Sequence, residues 1–261
     1  MNSFKVLKAN KQLVVFPILS GFSLLLVTAS FFTAALAKSG WQVNAMREYD
    51  KITQYGLLLL FYFANYFVVV FFNVALMHCT RMYFKGKEVN LRDGLNYSIS
   101  RVWAIFSWAL FAATVGTLLR ILQENMGKIG KIVIGIIGVV WNIATFFVVP
   151  IIAYESGSTL HAFKRSAQLM KEKWGEKIGA SFSFGLIQFI GILIILAIAA
   201  LIYVGLDPIA GLTVAALGIA IVLAVISAAQ SIFISAVYHN VTGDPVEQYY
   251  QTMIDDLFVR K

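Results

Sequence analysis

Hydrophobic and polar positions segregate along this chain rather than alternate. Six stretches carry no charged residue: Gln12–Ala37, Ile52–Thr80, Val102–Leu119, Ile132–Tyr154, Ile178–Leu206 and Pro208–Gly243. A membrane-crossing helix needs about 20 mostly apolar residues. The pattern therefore predicts six transmembrane helices, over about 13–37, 54–79, 102–121, 131–153, 178–205 and 209–238. Between them the pattern changes to an apolar face recurring every three to four residues, the period of a helix half in contact with an apolar surface. Such segments run over about 90–101, 159–176 and 245–258, with stripes such as Leu91, Leu95, Ser98 and Val102, then Leu160, Phe163, Ala167, Met170 and Trp174, then Val246, Tyr250, Met253 and Leu257. Phe4, Leu7, Lys8 and Lys11 hint at a fourth.

Each of the three segments follows a glycine: Gly86, Gly157 and Gly243. The last has the strongest start, with Asp244 as N-cap, Pro245 at the first helical position and Glu247 closing a capping box. The expectation is an all-α membrane protein, a single polytopic domain over residues 1–261 made of three hairpins. Each hairpin is followed by a cytoplasmic amphipathic helix lying along the membrane surface.

Charge gives the orientation. Fifteen Lys and Arg fall on the side shared by the N-terminus, the gaps after spans 2 and 4 and the C-terminus, against six on the other side. Basic loops stay cytoplasmic, so both termini are expected inside. The net charge of +8 then faces anionic inner-leaflet headgroups, with Lys164, Arg165, Lys171 and Lys173 as the membrane-surface basic residues. Membrane lipids and other membrane proteins are the expected partners. Nucleic acid is not needed to explain the charge. Asn96-Tyr97-Ser98 and Asn240-Val241-Thr242 fit the glycosylation pattern but fall inside on this topology, so neither is expected to be used.

Composition agrees with the pattern: 59% hydrophobic residues, 13% charged and a mean hydropathy of +0.79, against about 25% charged in a soluble domain. Lys5, Lys8 and Lys11 before an apolar run imitate a signal peptide. The run exceeds the 7–15 residues of a signal core, which favours a retained first helix. The single cysteine, Cys79, admits no intrachain disulfide and reads as a small buried side chain.

No Asp, Glu, Lys or Arg lies deep in a span, which argues against a proton-driven pump. Uncharged polar residues are present, and Asn65, Asn73, Asn142, Gln188 and Gln230 define a candidate polar cavity for a lipid headgroup or small solute. The competing reading is interhelical hydrogen bonding beside small residues, which Ser227, Ser231 and Ser235 suit well. His78, Cys79, Glu155, His161 and His239 gather near the inner face without the local spacing of a metal site, so no metal and no cofactor is expected. No His-Glu-x-x-His, Gly-x-Ser-x-Gly, phosphate-loop or dinucleotide motif is present, and no catalytic residue is assigned. Glu155 reads as a solvated carboxylate at a span end.

Lys11–Ser20 with Phe16-Pro17, Phe71–Leu76, Arg92-Asp93-Gly94-Leu95, Pro150 with Glu155, Arg165-Ser166 and Trp174-Gly175 together resemble an uncharacterised family of bacterial integral membrane proteins. That resemblance runs from Lys11 to about Gly175, the last hairpin matching only in pattern. The layout is also similar to the membrane domains attached to some glycerophosphodiester phosphodiesterases. The resemblance implies six spans and a bacterial plasma membrane, and no activity. The functional expectation is a non-enzymatic membrane-organising, accessory or partner-binding protein. The alternative is lipid or small-solute passage through the polar cavity. In a membrane enzyme, Asn73 and Glu155 would be the first residues to mutate.

Overall fold

The computed structural model describes residues 2–38, 50–173 and 179–243, and these are helical with no strand among them. Six helical segments are long and apolar enough to cross a membrane. We number the elements α1 (Asn2–Ala9), α2 (Val15–Lys38), α3 (Lys51–Phe84), α4 (Leu91–Ser100), α5 (Val102–Asn125), α6 (Lys128–Ala144), α7 (Val148–Tyr154), α8 (Thr159–Lys173), α9 (Gly179–Gly205) and α10 (Pro208–Val241), with a single 3-10 turn, Lys11–Val14, leading into α2. The segment 245–258, residues 174–176 and the Trp174-Gly175 pair lie outside the described residues.

The helix ends follow local chemistry. Asp50 caps α3 by accepting from the Thr53 backbone at 3.1 Å. Asn90 caps α4 by accepting from Arg92 at 3.0 Å. Asp207 caps α10 by accepting from Ala210 at 2.7 Å, with Pro208 where its missing N–H costs nothing. α3 ends at Gly86, whose φ of 67° only glycine adopts without strain. There the Lys87 amide returns to Met82 at 3.0 Å and the Gly86 amide to Tyr83 at 3.0 Å, satisfying carbonyls that a helix end leaves open.

The fourth span departs from the pattern read off the sequence. It is not one continuous helix but α6 and α7, broken at residues 145–147. Pro150 is the cause: it lacks the N–H that would reach Phe146 O, and its ring crowds that carbonyl. The ladder tightens, with Phe146 N bonding Ile143 O at 3.2 Å and Val148 N bonding Thr145 O at 3.0 Å. Phe147 N is left over, and it donates instead to Ser166 Oγ of α8 at 3.0 Å in a fully buried setting.

That bond sets the rotation of α8. Its buried positions are Ala162, Ser166, Leu169 and Met170, whereas Leu160 is exposed. The expected stripe of Leu160, Phe163, Ala167 and Met170 is thus turned, because Ser166 must face the break. Phe163 stacks on Trp141 at 5.4 Å, and Trp141 stacks on Trp108 at 6.1 Å, binding α8, α6 and α5 through aromatic faces.

Burial is concentrated at one end. Leu13, Phe16, Ala75, Leu76, Ala229 and Ala236 form one core, and Val74, Ile105, Phe147, Ile151 and Val237 belong to a second. Both use the C-terminal halves of α3 and α10. Here α4 lies tight on α3: a Cβ on Gly94 would come within 2.7 Å of Cys79 Sγ and 2.8 Å of Phe16. Cys79 is buried at this crossing. At the opposite end α2, α6, α9 and the first halves of α3 and α10 expose large apolar side chains, the expected state of surface in contact with lipid tails.

Candidate functional site

The buried end carries a polar cluster centred on Glu155, the residue that ends α7. Its carboxylate accepts from the Tyr238 hydroxyl of α10, lies 3.3 Å from His161 Nε2 and 3.5 Å from Arg165 Nε, the latter two on α8. The Glu155 side chain keeps 25% of its surface exposed. It is therefore not the free, solvated carboxylate that its place at a span end suggested. Burial opposes its charge, but the Tyr238 and His161 hydrogen bonds and the Arg165 guanidinium outweigh burial and hold the carboxyl below the usual carboxylate range.

The backbone around Glu155 is held as firmly. Arg101, between α4 and α5, donates to Glu155 O at 3.2 Å and to the Tyr97 hydroxyl at 3.2 Å. Tyr97 donates to Ala153 O at 2.5 Å while its ring stacks on His78 at 3.9 Å. Tyr154 donates to Met77 O at 2.8 Å or shares its proton with Ser235 Oγ at 2.6 Å. The Arg81 guanidinium lies 5.2 Å from the centre of the Tyr154 ring, a cation–π contact. Three helices, α3, α8 and α10, and the turn between α4 and α5 thus converge on two consecutive residues, Tyr154 and Glu155.

Beside Glu155, a cavity of about 20 Å³ is lined by Arg101, His161, Ser158 and Thr159, among others. That is room for about one water molecule. Hydrogen bonds join Tyr238 through Glu155 to His161. Among the described residues, no three His, Cys, Asp or Glu side chains converge as metal ligands.

The five residues of the expected polar cavity have separate surroundings. Asn65 donates to its own helix at Phe61 O, 2.8 Å away. Asn73 accepts from Ser231 of α10 at 3.2 Å. Asn142 on α6 and Gln230 on α10 are exposed, and Gln188 on α9 is half-exposed. Of the basic residues, Lys164 and Lys171 are exposed on α8, Arg165 reaches Glu155, and Lys173 is the last residue of that helix.

Glu155, His78 and His161 stand out in the sequence, whereas Arg101 enters only through the charge asymmetry, Ser166 only through the Arg165-Ser166 pair of the resemblance, and Tyr97, Tyr154 and Tyr238 with no chemical role. A usable signal was present: the three tyrosines all sit where an uncharged stretch meets charged chain, and there a phenol has an apolar body and a polar tip to satisfy.

No curated protein matches this chain, and no solved structure matches it. Residues 52–255 match a family of unknown function (DUF6159). The match reaches through the last two spans, beyond the Gly175 limit of the residue-level resemblance, and does not include the opening Lys11–Ser20 segment. The match covers most of the sequence, and the chain belongs to this family of unknown function, as a six-span helical protein with a polar cluster gathered at one end.

Proposed function

We propose that this protein is a non-enzymatic, multi-pass membrane component that organises lipid and partner proteins at one face of a bacterial inner membrane. In this reading the six spans form three hairpins with both termini cytoplasmic, α4 and α8 ride on the cytoplasmic surface, and the layout parallels the membrane domains of some glycerophosphodiester phosphodiesterases. The supporting observation is the mounting of α8. One side is fixed in the bundle through Ala162, Ser166, Leu169 and Met170, and Lys164 and Lys171 project from the other. A basic surface held rigidly at the headgroup level attracts anionic lipid with about 1 kcal/mol for each Lys or Arg.

The test is lipid retention by the full chain in nanodiscs of mixed anionic and neutral composition. Replacing Lys164 and Lys171 together with Gln is expected to lower anionic enrichment roughly thirtyfold, given that per-residue energy. Unchanged enrichment would remove the support for this reading.

Passage of a lipid or small solute is the second reading, with Asn65, Asn73, Asn142, Gln188 and Gln230 as candidates that have separate surroundings in the bundle. The Asn73–Ser231 contact between α3 and α10 is the place to probe it. Asn73→Ala would have to change solute or lipid flux in proteoliposomes.

A further inference from the structure

A second concavity opens at the same end of the fold, away from Glu155. It has a volume of about 460 Å³, within the range of about 300–1,000 Å³ typical of small-molecule sites. One wall is the break between α1 and the 3-10 turn, with the amides of Asn10 and Gln12. The other is the end of α3 and its turn, with Tyr83, Gly86, Lys87 and Glu88.

Both walls are fixed. The α1 side is held by Asn10 N to Val6 O at 2.9 Å and Leu13 N to Asn10 O at 3.1 Å. The α3 side is held by the helix-ending hydrogen bonds at Gly86 and Lys87. Val89 packs beneath, in the same core as Leu13 and Phe16.

The charges on this groove are unusual in being adjacent, opposite and unspent. Lys87 and Glu88 are both exposed, and neither joins an ion pair among the described residues. The groove also sits at a definite level. Gln12 opens the first uncharged stretch and Thr80 closes the second. Its walls therefore lie where apolar spans give way to charged chain, the level of phospholipid headgroups.

We propose that this groove binds the zwitterionic headgroup of an amine-bearing phospholipid. The phosphate is taken by the Lys87 ammonium and the side-chain amide groups of Asn10 and Gln12, and the primary ammonium by the Glu88 carboxylate. A purely anionic headgroup would place negative charge against Glu88. A quaternary ammonium would offer Glu88 no hydrogen bond. This site is separate from the basic surface of α8 and does not depend on it.

The test titrates the delipidated full chain in detergent with short-chain phosphatidylethanolamine, short-chain phosphatidylglycerol and free phosphoethanolamine. Phosphatidylethanolamine is expected to bind at least tenfold more tightly than phosphatidylglycerol. Glu88→Gln should abolish that preference, and Lys87→Gln should weaken both lipids. Gln12→Ala, at an exposed amide, is a further variant should either of these fail to fold, and it should weaken both lipids too. Equal affinity for the two lipids, or a preference that survives Glu88→Gln, overturns the proposal. Free phosphoethanolamine should bind at least tenfold more weakly than the lipid. If it binds as tightly, the groove serves a soluble phosphorylated amine and the lipid assignment fails.

Discussion

Phe16 and Leu25 occupy the same helix and have similar hydropathy, yet Phe16 is fully buried and Leu25 is 70% exposed. The same contrast divides α3, where Val74 to Leu76 are inaccessible and Ile52 is 84% exposed, and α10, where Ile232 is buried and Ile209 is 75% exposed. In a soluble protein such exposure would cost solvation free energy. In a bilayer it does not, because lipid tails are as apolar as the side chains. What separates the two ends is therefore close approach and hydrogen bonding, not hydrophobicity. Small residues supply the approach at the buried end: Ala75, Ala109, Ala112, Ala113, Ala228, Ala229 and Ala236 are all buried there. Buried hydroxyls supply the bonds, with Ser98 donating to Phe71 O at 2.8 Å and Ser166 accepting from Phe147.

The sharpest way to break this comparison is to truncate the same kind of side chain at each end. Phe16→Ala is expected to destabilise the protein by about 3–5 kcal/mol, and Leu25→Ala by less than about 0.5 kcal/mol, measured by unfolding in mixed micelles. Equal losses would mean that the exposed end is held by contacts as tight as those of the buried one.

Adding a methyl group tests the contrast in the opposite direction. Gly94→Ala forces a Cβ into Cys79, Phe16 and the Ala75 carbonyl, and overpacking of this kind costs about 1–3 kcal/mol. Gly135→Ala on α6 meets nothing within 4 Å. There the better helix propensity of Ala favours the folded state by up to about 1 kcal/mol. The two thermal shifts should have opposite signs.

Ser166→Ala probes hydrogen bonding alone. It strands the buried Phe147 amide and is expected to cost about 1–3 kcal/mol. Ser30→Ala, at an exposed hydroxyl that only bonds its own helix at Leu26 O, should be close to neutral. Ser166→Thr keeps the oxygen and should recover part of the loss.

The smallest expected effect is on pH dependence. Because the folded Glu155 carboxyl lies below its ordinary range, its contribution is fully present above the unfolded carboxylate pKa. It is lost as pH falls through the folded value. Glu155→Gln should flatten the acid limb of the stability profile while leaving the neutral region little changed in slope. An identical acid limb in the variant would show that the cluster does not report on Glu155 ionisation.

Much of the architecture is legible in the sequence because membrane crossing depends on length and the absence of charge, both of which are local. The six uncharged stretches correspond to the six candidate spans. The break in the fourth is less legible. Pro150 announces a kink, but that the freed amide would be taken by Ser166 depends on a contact across 19 positions. The rotation of α8 follows from the same contact, and for that reason its stripe was misplaced. The Glu155 cluster was legible one residue at a time and not as a set. His161 and Arg165 are near in sequence, but Tyr238 and Arg101 arrive through packing of α10 and the α4–α5 turn, which no local pattern encodes. The likeness of Asn65, Asn73, Asn142, Gln188 and Gln230 as polar residues in apolar spans says nothing about which way each helix turns.

The kink at Pro150 also constrains how the protein is made. An unpartnered backbone amide in hydrocarbon costs several kcal/mol, and the only hydroxyl that answers Phe147 is carried by a later stretch of the nascent chain. The observed shape of the fourth span therefore depends on α8 being in place. Until Ser166 is in place, the break at Pro150 leaves the Phe147 amide without the partner it has in the folded protein. α8 thus completes, from later in the same chain, a span that precedes it.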